Sequence, residues 1–172
     1  NLVNLILKFN PELNKADIYG TTPIIYAVIF NNNDSTDILN LLIQHKANIN
    51  YSLQLRMSED QYQYHSVFTL AIFQDLKNVT KCLLDNNVDV NFRTSPRGDT
   101  GLHIAAYYAK AELLDLLLSY PKIVAYIDAK NNDGKKPYEL IKDNEEKEKK
   151  NFIFKSCYFN IRMNNQNMKM NY

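Results

Sequence analysis

Apolar residues along this chain recur at the spacing of short helices, and each helical stretch leads into a turn containing Asn or Asp. Four segments share this register: residues 4–14, 40–50, 81–91 and 115–120, the last running on to Ile127 and Asp128. A unit of this size cannot bury a core alone, so it must stack on its neighbours. The pattern predicts a helical repeat fold that offers a binding surface and no pocket for chemistry.

A shorter helical pattern precedes the later segments. In the first copy, Thr22 is expected to cap the helix with its hydroxyl, and Pro23 fits the first turn because its missing N–H is not needed there. The second copy, residues 66–72, is degenerate, and the third, residues 98–106, is the best preserved. A fourth copy begins at Asn132 and then becomes charged. Two helices per unit are therefore predicted.

Residues 17–50 resemble the ankyrin repeat, whose pattern is G-x-T-P-L-H-x-A-A, then V-x-x-L-L-L, then G-A-D-x-N. In the third copy, Thr100 and His103 match the hydrogen-bonding pair of the family, although Gly101 replaces the usual Pro. The resemblance covers residues 2 to 145. It implies an all-α ankyrin-repeat solenoid of helix-turn-helix units, with short β-hairpin-like fingers and a helical C-terminal cap.

The spacing of the copies indicates where residues are inserted. The first helices start at Thr22, Ser66, Thr100 and Lys136, which are 44, 34 and 36 residues apart, against about 33 in a regular repeat. The extra residues are placed as a loop at 31–37, a finger at 51–63 and a longer exit at 121–125.

The resulting organisation has six predicted parts. A capping helix is expected at 152–162, because the open end of a solenoid must be covered. The parts are residues 1–16, the second half of a truncated repeat; 17–50, a repeat; 51–91, a degenerate repeat with an inserted finger loop; 92–130, a repeat; 131–163, a C-terminal capping repeat; and 164–172, a frayed tail.

Composition and charge argue against several classes of partner. A formal charge of +1 provides no basic stripe for nucleic acid. No apolar stretch is long enough to span a membrane. The two cysteines are too few for a disulfide framework, which favours the cytoplasm. The host cytosol is an alternative if an intracellular pathogen secretes the protein.

Catalytic and cofactor motifs are not found in the sequence. The three histidines, His45, His65 and His103, occupy different structural roles, and the four glycines do not form a phosphate-binding loop. No cofactor, no metal and no enzymatic activity are therefore expected.

In the ankyrin family the partner usually lies along the finger tips and the exposed side of the first helices. The resemblance carries this role to the following partner-binding positions: Tyr19, Thr21, Ile29, Phe30, Tyr62, Gln63, His65, Phe73, Gln74, Arg97, Asp99, Tyr107 and Tyr108. We expect a concave aromatic stripe of Tyr19, Phe30, Phe73, Tyr107 and Tyr108, since aromatic anchors form hot spots. The alternative, open above all for Ile29 and Phe73, is that these side chains pack between fingers and helices. The inserted finger also either binds or folds back on its own repeat.

The function predicted is a non-enzymatic, monomeric protein–protein interaction module that binds a protein partner through the concave face and finger loops. One alternative is a regulatory or substrate-recruiting segment of a larger enzyme. A second alternative is a structural spacer or a self-associating domain.

Overall fold

The computed structural model describes residues 2–56, 62–108 and 110–141, and this part of the chain is mainly helical. The helices are α1 (Leu2–Leu7), α2 (Pro23–Ile29), α3 (Asp37–Gln44), α4 (Val67–Phe73), α5 (Lys77–Asp85), α6 (Gly101–Tyr107), α7 (Ala111–Leu118) and α8 (Pro121–Val124), with a 3₁₀ helix at Pro137–Leu140. Strands β1 (Ser52–Arg56) and β2 (Tyr62–Ser66) form an antiparallel pair. The mainly helical class that the sequence predicts is confirmed.

Consecutive helices pack in pairs: α2 with α3, α4 with α5, and α6 with α7. The first helices contact one another in chain order, from α2 through α4 and α6 to the 3₁₀ helix, while α5 contacts α7. Val28, Phe68 and Leu117, from three different pairs, are all fully buried in one continuous apolar cluster. A core that runs through successive pairs is what units too small to fold alone require.

The Asn and Asp residues of the recurring turns link each unit to the next. Asn14 Oδ1 accepts a hydrogen bond from the backbone N–H of Asn48 at 2.7 Å, and Asn50 Oδ1 accepts one from the N–H of Asp89 at 2.8 Å. Asn48 and Asp89 in turn accept from the N–H two residues further on. The polar half of the register therefore joins neighbouring units through their backbones.

The first helices begin in different ways. Ser66 and Thr69 cap α4 reciprocally, because Ser66 Oγ accepts from the Thr69 N–H at 3.2 Å and Thr69 Oγ1 accepts from the Ser66 N–H at 2.9 Å. The predicted hydroxyl cap of Thr22 on α2 is wrong. Thr22 Oγ1 is buried and has no hydrogen-bond partner among the described residues. At this end Pro23 removes one N–H that would need a partner.

His103 connects the start of α6 to the next finger. Its Nδ1 accepts the N–H of Thr100 at 3.2 Å and lies 2.7 Å from Thr100 Oγ1, so the ring proton is assigned to Nε2. Nε2 then donates to the carbonyl oxygen of Lys135 at 2.9 Å. The ring is fully buried, and burial lowers the pKa of His103. The predicted Thr–His pair is present.

Residues 31–36 of the predicted insertion form a loop between α2 and α3, and Asp37 is already the first residue of α3. One of the side chains of this loop acts on another unit. The carboxylate of Asp34 accepts the backbone N–H groups of Asn78 at 2.6 Å and Val79 at 3.0 Å, in the first turn of α5. This loop therefore caps a helix that starts more than 40 residues later in the chain.

The inserted finger contributes an ordered hairpin on both sides of residues 57–61, which lie outside the described part. Leu53 pairs with His65 in the register of β1 and β2, and Leu53 is buried. Tyr64 forms a further bridge to Ser95, in the next finger. The insertion therefore folds against its own repeat at the base and contacts the following one.

The segment at 121–125, predicted as a longer exit from the third repeat, contains the short helix α8, which the sequence analysis did not predict. Ile123 is buried in this helix, and Pro121 favours a helix start. Lys122 Nζ donates to the carbonyl oxygen of Leu84 at 2.7 Å, near the end of α5. The predicted capping helix at 152–162 and the tail at 164–172 lie outside the described residues.

Candidate functional site

The C-terminal ends of α2, α4 and α6 are neighbours, since Gln74 contacts Ile29 and Phe73 contacts Tyr108. The turns, or fingers, that precede α4 and α6 contact the ends of these helices through His65 and Arg97. We call this surface the finger–helix face. None of these three helices contains a charged residue. Each nevertheless ends in large side chains that are not fully buried: Ile29 and Phe30, Phe73 and Gln74, Tyr107 and Tyr108. The face therefore has an apolar, aromatic floor.

Four rings from two successive units form the centre of this floor, which we call the aromatic cluster: His65, Phe73, Tyr107 and Tyr108. The ring centroids of His65 and Phe73 are 6.0 Å apart. Phe73 and Tyr108 meet edge to face at 5.3 Å, and Tyr107 and Tyr108 do so at 4.9 Å. Such pairs hold one another in defined orientations. Phe73 and Tyr108 remain 45% and 49% exposed, so the cluster is both organised and accessible.

Arg97 lies in the finger that precedes α6, which is the third finger, and forms one wall of the cluster. Its guanidinium carbon lies 4.8 Å from the ring centroid of Tyr107, and its Nε lies 3.0 Å from Asp99 Oδ2. The contact with Asp99 is an ion pair without a hydrogen bond, because Nε has no acceptor in line with its N–H among the described residues. A stacked, partly exposed guanidinium can still bind an acceptor from outside.

A cavity of about 70 Å³ lies between the third finger and the helix ends. The aromatic cluster and Arg97 line it, together with Gln63, Thr94, Pro96 and Ile104. The peptide bond between Ser95 and Pro96 is cis, at the turn of this finger. The cavity is large enough for the end of one side chain and too small for a cofactor.

Lys110 contacts both the end of α4 and the aromatic cluster. Its Nζ donates to the carbonyl oxygens of Ile72 at 3.0 Å and Phe73 at 2.6 Å, at the end of α4, and lies 5.9 Å from the ring centroid of Tyr108. Burial lowers the pKa of Lys110, an effect opposed by the charge of Asp75. Cations are favoured at a helix C-terminus. Sequence reasoning missed this residue because nothing local marks a Lys that caps a helix of the preceding unit.

A second aromatic pair lies at the end of α2. The rings of Tyr26 and Phe30 stack with centroids 5.8 Å apart, and the Tyr26 hydroxyl donates to Asp17 Oδ2 at 2.6 Å. That hydrogen bond lowers the pKa of Asp17 and raises the pKa of Tyr26. Phe30 is 70% exposed, and Tyr19 in the adjacent finger is 75% exposed. Tyr26 was not predicted, although its place one turn before Phe30 on the same helix could have indicated it.

The predicted positions divide by exposure. Tyr19, Phe30, Phe73 and Tyr108 are exposed, and Ile29, Gln63, Arg97 and Tyr107 are half-buried. The prediction required that the aromatic stripe not be hidden in the core, and the exposure of Phe30, Phe73 and Tyr108 meets this requirement. Ile29 packs against the apolar core, and the side chain of Tyr62 lies outside the described residues. The binding role of all these residues stays a prediction.

Four predicted positions serve the structure directly. Thr21, His65 and Asp99 are buried, and the partner-binding role predicted for them stays a prediction. The N–H of Thr21 is held by Asp17, His65 packs on Phe73, and Asp99 Oδ1 accepts from Asn131 Nδ2 at 2.8 Å. Gln74 Nε2 donates to the carbonyl oxygen of Ile29 at 3.3 Å. Thr21, His65, Gln74 and Asp99 therefore each make contacts within the chain itself.

Comparison with known proteins identifies the class of the repeats. The model of the Ankyrin repeat family matches residues 19–52 and 97–132. The resemblance to the ankyrin-repeat family is confirmed at these two places, which include the first and third fingers of the site.

Two curated relatives are "Ankyrin repeat protein B18" from Variola virus (isolate Human/India/Ind3/1967) and the protein of the same name from Variola virus, each 26% identical over 147 residues. The alignment covers 85% of this chain and 24% of each relative. The chain thus spans about a quarter of the length of these relatives.

The described residues contain neither a metal-binding group nor a membrane-spanning helix. In residues 2–56, 62–108 and 110–141 there is no group of three or more His, Cys, Asp or Glu side chains arranged to hold a metal ion. Across the same ranges, no helix has the length and apolar character needed to cross a membrane.

Proposed function

We propose that this chain is a non-enzymatic binding module: an ankyrin solenoid whose finger–helix face is concave and binds a protein partner. Ankyrin repeats generally mediate protein–protein interaction. The six parts predicted from the sequence, from the truncated repeat at 1–16 to the cap at 131–163, belong to this proposal. So do a monomeric state and a place in the cytoplasm.

One observation carries the proposal. Three helices without a charged residue end in the exposed rings of Phe30, Phe73 and Tyr108, which are 70%, 45% and 49% exposed. A chain that needed these rings only for its own stability would bury them, since each buried aromatic ring contributes about 2 kcal/mol. Exposed aromatic side chains beside a ready-made cavity are typical of binding hot spots.

The rigidity of the face supports the same function. The hydrogen bonds of Lys110 hold the end of α4, and the edge-to-face contacts hold Phe73, Tyr107 and Tyr108 in place. Side chains that are already ordered lose less conformational entropy when a partner binds. A preformed aromatic surface therefore binds more tightly than a mobile one of equal area.

The proposal is tested by affinity capture from a lysate of the cells in which the protein acts, followed by quantitative mass spectrometry. Three baits are compared: the wild-type chain, the variant Phe73→Ser with Tyr108→Ser, and the control variant Lys81→Ser with Asn86→Ser on α5 and its C-cap. All four residues are exposed, so each change leaves the core intact.

The expected result is a set of proteins that the wild type and the α5 control retain and the Phe73/Tyr108 variant loses at least tenfold. Recovery of every partner by the Phe73/Tyr108 variant would overturn the proposed face. If only the α5 control lost the partners, the result would indicate that the binding site lies at α5 and not on the finger–helix face.

A further inference from the structure

Building on the proposed function, we propose that the aromatic cluster and Arg97 recognise an acidic, apolar protein segment. In such a segment a carboxylate side chain lies within two residues of an apolar side chain that enters the cavity. The proposal defines the chemistry of the partner and assigns separate roles to Arg97 and to the rings.

The first step concerns Arg97. The Asp99 carboxylate makes its closest approach at Nε, the nitrogen nearest the backbone of Arg97, while the side chain of Arg97 is 38% exposed. Bidentate binding of a carboxylate can use the two terminal nitrogens of the guanidinium. Asp99 also accepts a hydrogen bond from Asn131, so its carboxylate does not interact with Arg97 alone. A carboxylate from a partner can therefore approach the terminal side of Arg97.

The second step concerns the charge of the surrounding fingers. Residues 91–100 and 128–136 carry five cationic side chains and three carboxylates. Two of the carboxylates are engaged, Asp99 with Arg97 and Asp128 with Lys136 at 2.7 Å. The cationic side chains are Arg93, Arg97, Lys130, Lys135 and Lys136. The two segments therefore carry an excess of two positive charges, five minus three, which complements an acidic partner.

The third step concerns distance. The guanidinium carbon of Arg97 lies 4.8 Å from the Tyr107 centroid, and the Tyr107 and Tyr108 centroids are 4.9 Å apart. The Tyr108 centroid therefore lies no more than about 10 Å from the guanidinium carbon, and an extended chain advances about 3.3 Å per residue. A carboxylate one or two residues from the apolar anchor can thus reach Arg97. The cavity beside it accepts the end of one such anchor.

The test is selection from a random-peptide display library on the full chain. The baits are the wild type, Arg97→Gln, Arg97→Lys and the control Lys81→Gln, which makes the same charge change on α5. Wild-type and Lys81→Gln baits are expected to enrich Asp or Glu within two residues of Leu, Met or Phe. Arg97→Gln should retain the apolar preference and lose the acidic one, with Arg97→Lys between them because it keeps the charge without the planar fork.

A selected peptide then provides a test that leaves the protein unchanged. Replacing its carboxylate residue by the matching amide should weaken binding to the wild type by about tenfold or more, and binding to Arg97→Gln by less than about twofold. Peptides enriched without an acidic preference, or an amide substitution with the same effect on both proteins, would overturn the inference and leave the binding face in place. The selected peptides are also measured against the variant Phe73→Ser with Tyr108→Ser. Failure to enrich any peptide that this variant no longer binds would instead contradict the proposed function itself.

Discussion

Gly101 is the first residue of α6, and its lack of a side chain allows α6 to pack closely on α4. A Cβ at this position would lie 2.6 Å from Ile72 Cδ1 and 3.0 Å from Phe68 Cε1. Ile72 and Phe68 are both fully buried, so neither side chain can move aside without disturbing the core. The family pattern has Pro here, but these neighbours leave no room for its ring.

We predict that Gly101→Ala lowers the free energy of unfolding by about 1 kcal/mol, because overpacking outweighs the better helix propensity of Ala. Ile72→Val removes the crowded methyl group and should itself cost about 0.5–1.5 kcal/mol. The double variant is expected to be more stable than the sum of the two single effects predicts. Urea denaturation of all four proteins measures this coupling, and simple additivity would show that the contact is not strained.

Two buried histidines link stability to pH. Burial lowers the pKa of both His65 and His103 below the ordinary value of the imidazole. Below about pH 6.5 the unfolded chain therefore binds protons that the folded chain does not bind, and the free energy of unfolding falls as the pH is lowered. Protonation would also remove the acceptor that His103 Nδ1 offers to Thr100.

The expected result is full stability near neutral pH and a loss of at most about 1.4 kcal/mol per histidine for each pH unit below about 6.5. Urea denaturation at a series of pH values measures it. The substitution His103→Gln should reduce the pH dependence, because it removes a group whose pKa burial lowers in the folded chain. Equal slopes for His103→Gln and the wild type would contradict the assignment.

At the scale of elements, neighbouring units provide the caps that several helices lack locally. The residue before α5 is Leu76, which has no capping side chain, and Asp34 from the preceding loop takes over this role. Lys110 and Gln74 do the same at the ends of α4 and α2. The ends of these three helices, α5, α4 and α2, are therefore completed only when the neighbouring unit is in place.

We predict that Asp34→Ala destabilises the protein by about 1–2 kcal/mol, since it leaves two N–H groups of α5 without their acceptor and removes a favourable charge from a helix N-terminus. Hydrogen exchange should accelerate at Asn78 and Val79 in particular. Asn32→Ala, in the same loop and exposed, is the matched control and should change neither quantity. Unchanged exchange at Val79 in Asp34→Ala would show that the cap is dispensable.

The sequence predicted the helices better than it predicted their connections. An apolar period of a few residues is a local signal, so α3, α5 and α7 were found at their places in the chain. The cap from Asp34 joins residues 44 positions apart, and no local pattern encodes it. The helix α8 in the segment at 121–125 was not predicted, because four residues are too few for a helical period to show.

At the scale of the whole molecule, equivalent positions of the repeat differ in burial according to what lies beside them. Ile6 on α1 is 49% exposed, while the residues at the same place in α3, α5 and α7, namely Leu42, Leu83 and Leu117, are 3%, 0% and 0% exposed. The chemistry of these positions is the same, so the difference comes from the stacking of units. Sequence alone could not rank them.

We therefore predict that Leu83→Ala costs about 2–5 kcal/mol, as a buried Leu does when it leaves a cavity, whereas Ile6→Ala costs less than about 1 kcal/mol. Chemical denaturation of the two variants and the wild type gives both values. Similar losses in the free energy of unfolding for the two variants would contradict the stacking of units described above.

The candidate site was predictable only in part, because the exposure of its side chains depends on contacts that a single repeat does not show. Phe30, Phe73 and Tyr108 were found because large apolar residues occupy places that are commonly polar in this family. Burial of His65 and Asp99 could not be predicted, since it depends on a contact with Phe73 at the far end of the following helix and on a contact with Asn131 in the next unit. Exposure is decided between units, and the residue pattern describes only one unit at a time.

The most direct test of the binding face is hydrogen–deuterium exchange of the chain with and without a captured protein partner. The account predicts slower exchange on binding in β2, in the third finger around Arg97 and at the end of α6, with α5 and α7 unchanged. Protection confined to α5 and α7, with the finger–helix face exchanging as in the free protein, would contradict it.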